Sequence, residues 1–255
     1  MSSGELKADS NRIIKIIASV SSPREFESPY IREADAVEIR LDLMTEPVGD
    51  RLSRLRASFT GPIILTLRSS DEGGAFAGGT TGFWERVSPY LPDADMVDLE
   101  IRFRDHAPRC RNLKKTVVAS CHRNEMLTAG ELENLITELR SFGDIPKIAV
   151  QPQTRDDLLT LLSVCSGCQH EVIMSVTGTV FRYARPLLSL FGSLYTYCYI
   201  DSPTSPGQYS LREMQLLAYL LTPGFVDPWF EGRPVRSGDA SAFEERAKKY
   251  REFSG

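Results

Sequence analysis

The sequence predicts an α/β protein built as a closed (β/α)8 barrel of the TIM-barrel class, a single domain with a C-terminal helical extension. Eight apolar runs rich in Val and Ile recur along the chain, and most are as long as a buried strand. Stretches with apolar residues three and four apart lie between them, as in amphipathic helices. Strand and helix repeated eight times imply parallel strands joined by crossovers. The length of 255 residues suits such a barrel, for which roughly 250 residues is typical.

The order of the elements supports this fold class. The predicted strands cover residues 13–20, 36–41, 62–67, 96–101, 116–121, 146–150, 172–176 and 194–200. The clearest helical patterns cover residues 128–142, 155–164 and 210–221. Thr128 followed by Glu131 has the capping-box pattern of a helix start. The first crossover is short, and residues 104–112 have a poor helical pattern.

An open doubly wound sheet is the alternative architecture. The glycine fingerprint expected after its first strand is missing from residues 19–23, which favours the barrel. No sequence repeat or low-complexity linker divides the chain, so we place one catalytic barrel domain at residues 1–222. Residues 223–255 form the extension, in which residues 240–253 have the pattern of a charged surface helix.

The composition limits the possible partners. It is 42% hydrophobic and 25% charged, as in a soluble globular protein. The formal net charge of −4, from 30 Lys and Arg against 34 Asp and Glu, argues against nucleic acid as the main partner. No run approaches the ~20 apolar residues of a membrane-spanning helix, so no membrane partner is expected. Five cysteines and a polar N-terminus without a secretion signal favour a cytoplasmic location.

Charged and polar side chains recur two residues apart within the predicted strands, which places them on one face of each strand. These residues are Glu38, Arg40 and Asp42; Thr66 and Arg68; Asp98, Glu100 and Arg102; Ser120 and His122; and Lys147, Ala149 and Gln151. The other face packs on the helices, so we expect these side chains inside the barrel, toward its C-terminal mouth. Any single acid–arginine pair could equally be a structural salt bridge. The whole set, converging on one mouth, indicates an active site.

Lys147 is the strongest candidate for a catalytic residue in this set. Lysine is scarce in this chain, and Lys147 has apolar neighbours on both sides. Burial and nearby Arg40, Arg68 or Arg185 would favour the neutral amine, which can attack a carbonyl carbon. The alternative is a structural lysine that snorkels to the barrel mouth.

His122 ends the strand next to that of Lys147. A histidine at a strand end is often structural, but beside a nucleophilic lysine it is suited to carry protons at neutral pH. Glu72, on the loop after the third strand, could orient it. The glycines that follow Glu72 indicate a mobile loop over the site rather than a phosphate cradle, since no Gly-Lys-Ser/Thr follows. Cys165, Cys168 and His170 resemble half of a zinc site without its second half, so we expect no metal.

Seven segments together resemble type I 3-dehydroquinate dehydratase, in that family's order, between residues 13 and 221. They are Glu38-Ile-Arg-Leu-Asp, Thr66-Leu-Arg-Ser-Ser-Asp-Glu-Gly-Gly, Asp98-Leu-Glu, Ser120-Cys-His, Ile145-Pro-Lys-Ile-Ala-Val, Phe191-Gly-Ser and Ser205-Pro-Gly-Gln. The resemblance implies a (β/α)8 barrel, commonly a homodimer, that needs no metal or organic cofactor. It also implies dehydration of 3-dehydroquinate to 3-dehydroshikimate, in the route to aromatic amino acids.

The resemblance also implies roles for individual residues. Lys147 forms an imine with the C3 ketone, His122 moves the protons, and Glu72 holds His122. Arg185 and Gln208 bind the substrate carboxylate, with Thr204 nearby. The ring hydroxyls are met by Ser19, Glu38, Arg40 and Arg68.

The chain departs from the family pattern after the seventh strand, where it reads Ser175-Val-Thr-Gly-Thr. This shift makes Arg182 a competitor of Arg185 for the carboxylate. Two other functions stay open at this point. One is a class I aldolase-type lyase that uses the same lysine on another keto sugar, and the other is a catalytically silent barrel that binds a partner.

Overall fold

Eight parallel strands wind around a central axis and are covered outside by helices in the computed structural model, which describes residues 14–221. The predicted (β/α)8 barrel is confirmed. The expected helix at residues 240–253 and the rest of the extension lie outside the described residues, so the boundary at residue 222 stays a prediction. Within residues 14–221, no helix has both the length and the apolar content needed to cross a membrane.

The strands match the eight predicted runs, with one short addition. Their bounds are β1 Ile16–Val20, β2 Ala36–Arg40, β3 Ile63–Thr66, β4 Met96–Glu100, β5 Thr116–His122, β6 Ile145–Val150, β7 Ile173–Val176, β8 Thr196–Tyr199 and β9 Tyr209–Ser210. The sheet order is β7-β6-β5-β4-β3-β2-β1-β8-β9, and every pairing is parallel. A bridge between Val172 and Ser193 joins the β7 side to the β8 side.

The helices follow the strands on the outside of the barrel. Their bounds are α1 Gly49–Ser58, α2 Thr80–Val87, α3 Ala107–Asn112, α4 Ala129–Phe142, α5 Arg155–Gly167, α6 Ala184–Leu190 and α7 Leu211–Leu221. The predicted capping box of α4 is present, since the Thr128 side chain accepts from the Glu131 N–H and Glu131 accepts from the Thr128 N–H.

The crossovers after β1, β3 and β4 contain 3₁₀ helices. After β1 the chain forms 3₁₀ helices at Pro23–Glu27 and Pro29–Glu33, and after β4 a 3₁₀ helix at Ile101–His106 precedes α3. The expectation that Arg102 continues the inward face of β4 is therefore wrong. The strand ends at Glu100, and Arg102 pairs with Asp71 near the surface at 2.6 Å.

The barrel interior has an apolar floor below the charged residues. Its members are Ile17, Ala36, Ile64, Val118, Ile145, Ile173 and Tyr197, one from each strand of the barrel except β4, with Tyr195 just before β8. A larger apolar layer lies between the strands and the helices. Because the floor fills the N-terminal half of the barrel, the charged side chains of the interior lie above it, toward the C-terminal mouth.

At the N-terminal end, a polar side chain just before each even-numbered strand binds the strand before it. Asp35 accepts the Ile16 N–H at 2.8 Å, and Asp95 accepts the Ile63 N–H at 2.8 Å. Asp144 accepts the Val117 N–H at 2.7 Å, and Ser193 Oγ accepts the Met174 N–H at 3.0 Å. These four residues, which we call the strand anchors, accept backbone N–H groups near the start of each odd-numbered strand from β1 to β7.

Replacing Asp95 tests a strand anchor. Asp95→Ala leaves the N–H of fully buried Ile63 without its acceptor and should lower the free energy of unfolding by about 1–3 kcal/mol. Asp95→Asn is the matched control, since it keeps an acceptor oxygen while both variants lose the ion pair with Arg56. Urea unfolding measures both. Equal losses in the two variants would show that the ion pair, not the N–H, carries the effect.

Candidate active site

Lys147 lies in a layer of charged side chains above the apolar floor. The residue is 5% exposed, and its Nζ donates to Asp98 Oδ2 at 2.9 Å and lies 3.7 Å from Glu38 Oε1. We expected arginines beside this amine, but the charged groups in contact with it are carboxylates. The register of the sheet explains this, since β4, β2 and β6 direct their middle residues to the same level inside the barrel.

Arg68 ties together the acidic residues of this layer. Its Nη2 lies 3.0 Å from both oxygens of Asp98, and its Nη1 lies 3.0 Å from Glu100 Oε1 and from Ser120 Oγ. Glu72 is a further partner at 3.4 Å. Although burial opposes the charge, the surrounding carboxylates hold the pKa of Arg68 above its usual value. This guanidinium is a permanent positive charge inside the barrel.

Asp98 connects Arg68 to Lys147. Burial alone would raise the pKa of Asp98, but Arg68 and Lys147 together hold it below the usual range. Ser120 donates a further hydrogen bond to this carboxylate. Asp98 is therefore ionised, and it holds the lysine nitrogen in one position.

Glu38 forms the other side of the lysine pocket. Its Oε2 accepts from Ser19 Oγ at 2.7 Å, and its Oε1 accepts from Thr66 Oγ1 at 2.8 Å. These hydroxyls come from β1 and β3, the two strands that flank β2. The carboxylate is thus fixed from both sides, with its charge toward Lys147.

His122 ends β5 and contacts Glu72 as expected. Its Nδ1 lies 2.8 Å from Glu72 Oε2, and the same oxygen accepts the His122 backbone N–H at 3.0 Å. Burial, with Arg68, Lys147 and Arg40 nearby, lowers the pKa of His122 well below its usual value. The imidazole is neutral at pH 7. When Glu72 is ionised, Nδ1–H of His122 donates to it, and Nε2 is left as the basic atom.

Glu72 has an unusual titration. Burial raises its pKa to about 7, with Glu100 and Asp98 contributing, although Arg68 opposes the rise. Glu72 closes a 3₁₀ turn at Ser70–Glu72, which is followed by left-handed Gly73 with φ of 82°. This turn directs the carboxylate to His122. The predicted mobility of the loop beyond it stays a prediction.

Arg40 is held by Asp42 rather than by another strand. Asp42 accepts from Arg40 Nε at 2.9 Å and from Nη2 at 2.7 Å. The same carboxylate accepts the N–H groups of Arg68 at 3.3 Å and Ala75 at 3.2 Å. Asp42 lies just beyond the end of β2, where it links this strand to the loop that carries Glu72.

Arg185 is a buried cation at the mouth, between the end of β7 and the loop after β8. It is 4% exposed and contacts Ser175 Oγ at 3.5 Å, Ser205 Oγ at 3.4 Å and the Pro206 carbonyl at 3.3 Å. Its Nε has no hydrogen-bond partner within residues 14–221. Burial, with Arg182 nearby, lowers the pKa of Arg185 to about 10, so it stays charged at neutral pH. Such a cation, with only neutral oxygens in contact, suits a carboxylate ligand.

Arg182 is oriented differently. Its guanidinium lies 4.0 Å over the Tyr209 ring and 3.9 Å from Glu213, and its side chain is 41% exposed. Between the two candidates left open by the sequence, the buried position belongs to Arg185.

Thr204 and Gln208 meet in the loop after β8. Gln208 Oε1 accepts from the Thr204 N–H at 2.8 Å and from its Oγ1 at 3.1 Å. Between them, Gly207 has φ of 76°, and a Cβ there would lie 2.0 Å from the Gly178 carbonyl oxygen. Only glycine allows this loop to pack on the loop after β7.

The candidate residues thus form two groups at one end of the barrel. The first surrounds Lys147 and contains Ser19, Glu38, Arg40, Arg68, Glu72 and His122, and the second contains Arg185, Thr204 and Gln208. The sequence alternation had marked Asp98 and Asp42 as inward charges without giving them roles in the site. The structure makes both of them direct partners of candidate residues. Within residues 14–221, no three His, Cys, Asp or Glu side chains are grouped to hold a metal ion.

Comparison with known proteins identifies the same family as the sequence motifs. Residues 23–223 match the family described as type I 3-dehydroquinase. A 3-dehydroquinate dehydratase from Methanospirillum hungatei is 66% identical over 251 residues, which cover 98% of each protein. Another from Methanoregula boonei is 38% identical over 209 residues, covering 82% of this chain and all of that one.

Solved structures share the fold. The 3-dehydroquinate dehydratase from Geobacillus kaustophilus superposes with a TM-score of 0.74 at 23% identity, over 82% of this chain and 91% of that chain. The enzyme of the same name from Aquifex aeolicus gives a TM-score of 0.71 at 25% identity, over 82% and 99%.

The raised pKa of Glu72 predicts a pH-dependent effect on stability. The unfolded chain ionises this group near 4.5, but the folded protein keeps it protonated up to about 7. Between these values the folded state binds more protons, so the stabilising contribution of Glu72 falls as the pH rises. The unfolding free energy of the parent minus that of Glu72→Gln should therefore fall by on the order of 1–3 kcal/mol from pH 4.5 to 7.5.

Chemical denaturation at several pH values measures this difference. Glu133→Gln, on the exposed face of α4, is the matched control for loss of a carboxylate. A constant difference between the parent and Glu72→Gln across this pH range would contradict the raised pKa.

Proposed function

Because this chain belongs to the type I 3-dehydroquinase family, we propose that it dehydrates 3-dehydroquinate to 3-dehydroshikimate through an imine on Lys147. The reaction is a step of the shikimate pathway to aromatic amino acids. One observation carries the proposal: a buried lysine amine, held by Asp98, shares the barrel mouth with a histidine that contacts Glu72 through Nδ1. A protonated imine withdraws electrons more strongly than the ketone from which it forms. The C–H next to it is therefore more acidic than the C–H next to the ketone.

The first stage joins Lys147 to the substrate. Lys147 first gives up one proton, and its free amine then attacks the C3 carbonyl carbon. The carbonyl oxygen leaves as water with that proton and a second proton from the nitrogen, so one N–H remains on the positively charged imine nitrogen. The carboxylates of Asp98 and Glu38 stabilise the positive charge on the nitrogen during this conversion. Both acids are in contact with the amine before substrate arrives.

The second stage belongs to His122. As a neutral imidazole it accepts a proton from C2, and it then delivers a proton to the C1 hydroxyl, which departs as water. Glu72, in contact with Nδ1, keeps the ring in place and stabilises the cation formed in between. Hydrolysis of the imine releases the conjugated product and restores the amine.

The remaining residues orient the substrate. Arg185 binds its carboxylate, with Gln208 and Thr204 completing that end of the site. The ring hydroxyls are met by Ser19, Glu38, Arg40 and Arg68. The burial of Arg185, with only neutral oxygens in contact, supports this division, since a carboxylate held there fixes the pose of the ring at the mouth.

The setting of the reaction is part of the proposal. The protein acts in the cytoplasm, and all five of its cysteines being free thiols supports a reducing compartment. It forms a homodimer, as the family resemblance implies. The catalytic domain occupies residues 1–222, followed by the extension at 223–255.

Borohydride reduction in the presence of 3-dehydroquinate tests the proposal. Mass spectrometry should find the reduced adduct on Lys147 of the parent protein, because borohydride converts an imine to a stable amine. Lys147→Ala should give no adduct and lose turnover to background, whereas Lys114→Ala, which removes an exposed lysine, should match the parent. An adduct on another lysine, or turnover by Lys147→Ala, would contradict the mechanism.

The carboxylate anchor is tested by a pair of glutamine variants. Arg185→Gln should raise KM for 3-dehydroquinate by about 10- to 100-fold, the loss expected for a hydrogen bond between charged groups. Arg182→Gln should change KM less than about threefold, because its side chain is engaged by Tyr209 and Glu213 at the surface. Steady-state kinetics on both variants decides, and the reverse order of effects would assign the carboxylate to Arg182.

A further inference from the structure

Lys147 also rests on an aromatic ring. Its Nζ lies 4.3 Å from the centroid of the Tyr197 ring, within the range of a cation–π contact. Tyr197 comes from β8 and belongs to the apolar floor, and it is 6% exposed. The ring therefore forms the top of the floor, where it faces the charged layer and contacts the reacting nitrogen directly.

The hydroxyl of Tyr197 is not what holds this residue in place. It is buried and has no hydrogen-bond partner within residues 14–221. Burial, followed by the charges of Glu38 and Asp98, raises the pKa of the phenol well above its usual value, so it stays neutral. A tyrosine with an unengaged hydroxyl at this position leaves its ring as the group that acts on Lys147.

We propose that the Tyr197 ring is a catalytic group that stabilises the positive charge on the Lys147 nitrogen as the protonated imine forms. This inference rests on the proposed function, because the ring contributes to the rate only if Lys147 is the imine-forming residue. It assigns to Tyr197 a role that differs from those of the acids around the same nitrogen.

The acids and the ring differ because the Lys147 nitrogen loses N–H groups when the imine forms. The ammonium has three N–H groups, enough to donate to Asp98 and toward Glu38. When it combines with the C3 ketone, two of those protons leave with the ketone oxygen as water, and the N–C bond that forms leaves one N–H on a cationic nitrogen. The nitrogen can then keep one hydrogen bond to a carboxylate. The ring face needs no proton to attract a cation, so its contact persists through the conversion.

Three kinds of variant at position 197 test the proposal. They separate the effect of the ring from that of the hydroxyl, and the effect of the negative ring face from that of the ring shape. Tyr197→Phe keeps the ring and should change kcat less than about threefold. Tyr197→Leu removes it and should lower kcat and the rate of borohydride-trapped adduct formation by about tenfold, the size expected of a buried cation–π contact. Phenylalanines with one, two and three ring fluorines keep the shape but weaken the negative ring face, so log kcat should fall stepwise along the series.

Each result has a defined meaning. Full activity of Tyr197→Leu, an equal loss in Tyr197→Phe, or a flat fluorine series would overturn the inference. Circular dichroism confirms that each variant is folded, and the fluorinated rings bypass any cavity left by leucine. If the parent protein forms no adduct on Lys147, the proposed function itself fails, whereas an adduct with no dependence on the ring removes only the role of Tyr197.

Discussion

The charges inside the barrel are tolerated because each of them lies against an opposite charge. Two cations, Arg68 and Lys147, lie among the carboxylates of Asp98, Glu100 and Glu38, and each charge in this layer has an opposite partner. An isolated buried charge costs several kcal/mol, and a well-packed apolar core would be at least as stable as this network. The layer is therefore better explained by chemistry than by stability. The other features of the mouth depend on these ion pairs, because the pairs fix the position of the Lys147 nitrogen.

Burial acts on the histidine and the glutamate of the site in complementary ways. It disfavours the imidazolium of His122 and the carboxylate of Glu72, so the pair resists taking up charge on either side. The guanidinium of Arg68 adds to the first effect and opposes the second. A general base that is neutral at rest, with a carboxylate ready to balance its transient cation, is the arrangement that proton transfer at neutral pH favours.

The sequence predicted the barrel and the inward charges of its candidate site because both depend on local patterns. Alternation along single strands marked Glu38, Arg68, Asp98 and Lys147 as inward residues, and all of them are. What the pattern lacks is the level of each strand relative to its neighbours, so it placed arginines rather than carboxylates against Lys147. The alternation of polar residues also continues past the end of β4, so it predicted an inward Arg102, whereas a 3₁₀ helix turns this residue outward. The choice between Arg185 and Arg182 needed the packing of two loops, which no single segment contains.

The strand anchors show a regularity that the amino-acid sequence hides. Asp35, Asp95, Asp144 and Ser193 occupy equivalent places in four successive pairs of strands, although no repeat can be read along the chain. All four lie at the end of the barrel opposite the mouth. Architecture and reactivity are thus assigned to opposite poles of the molecule. Substitutions that strengthen one pole can accumulate without disturbing the other, which makes this barrel a scaffold whose robustness and chemistry can be altered separately.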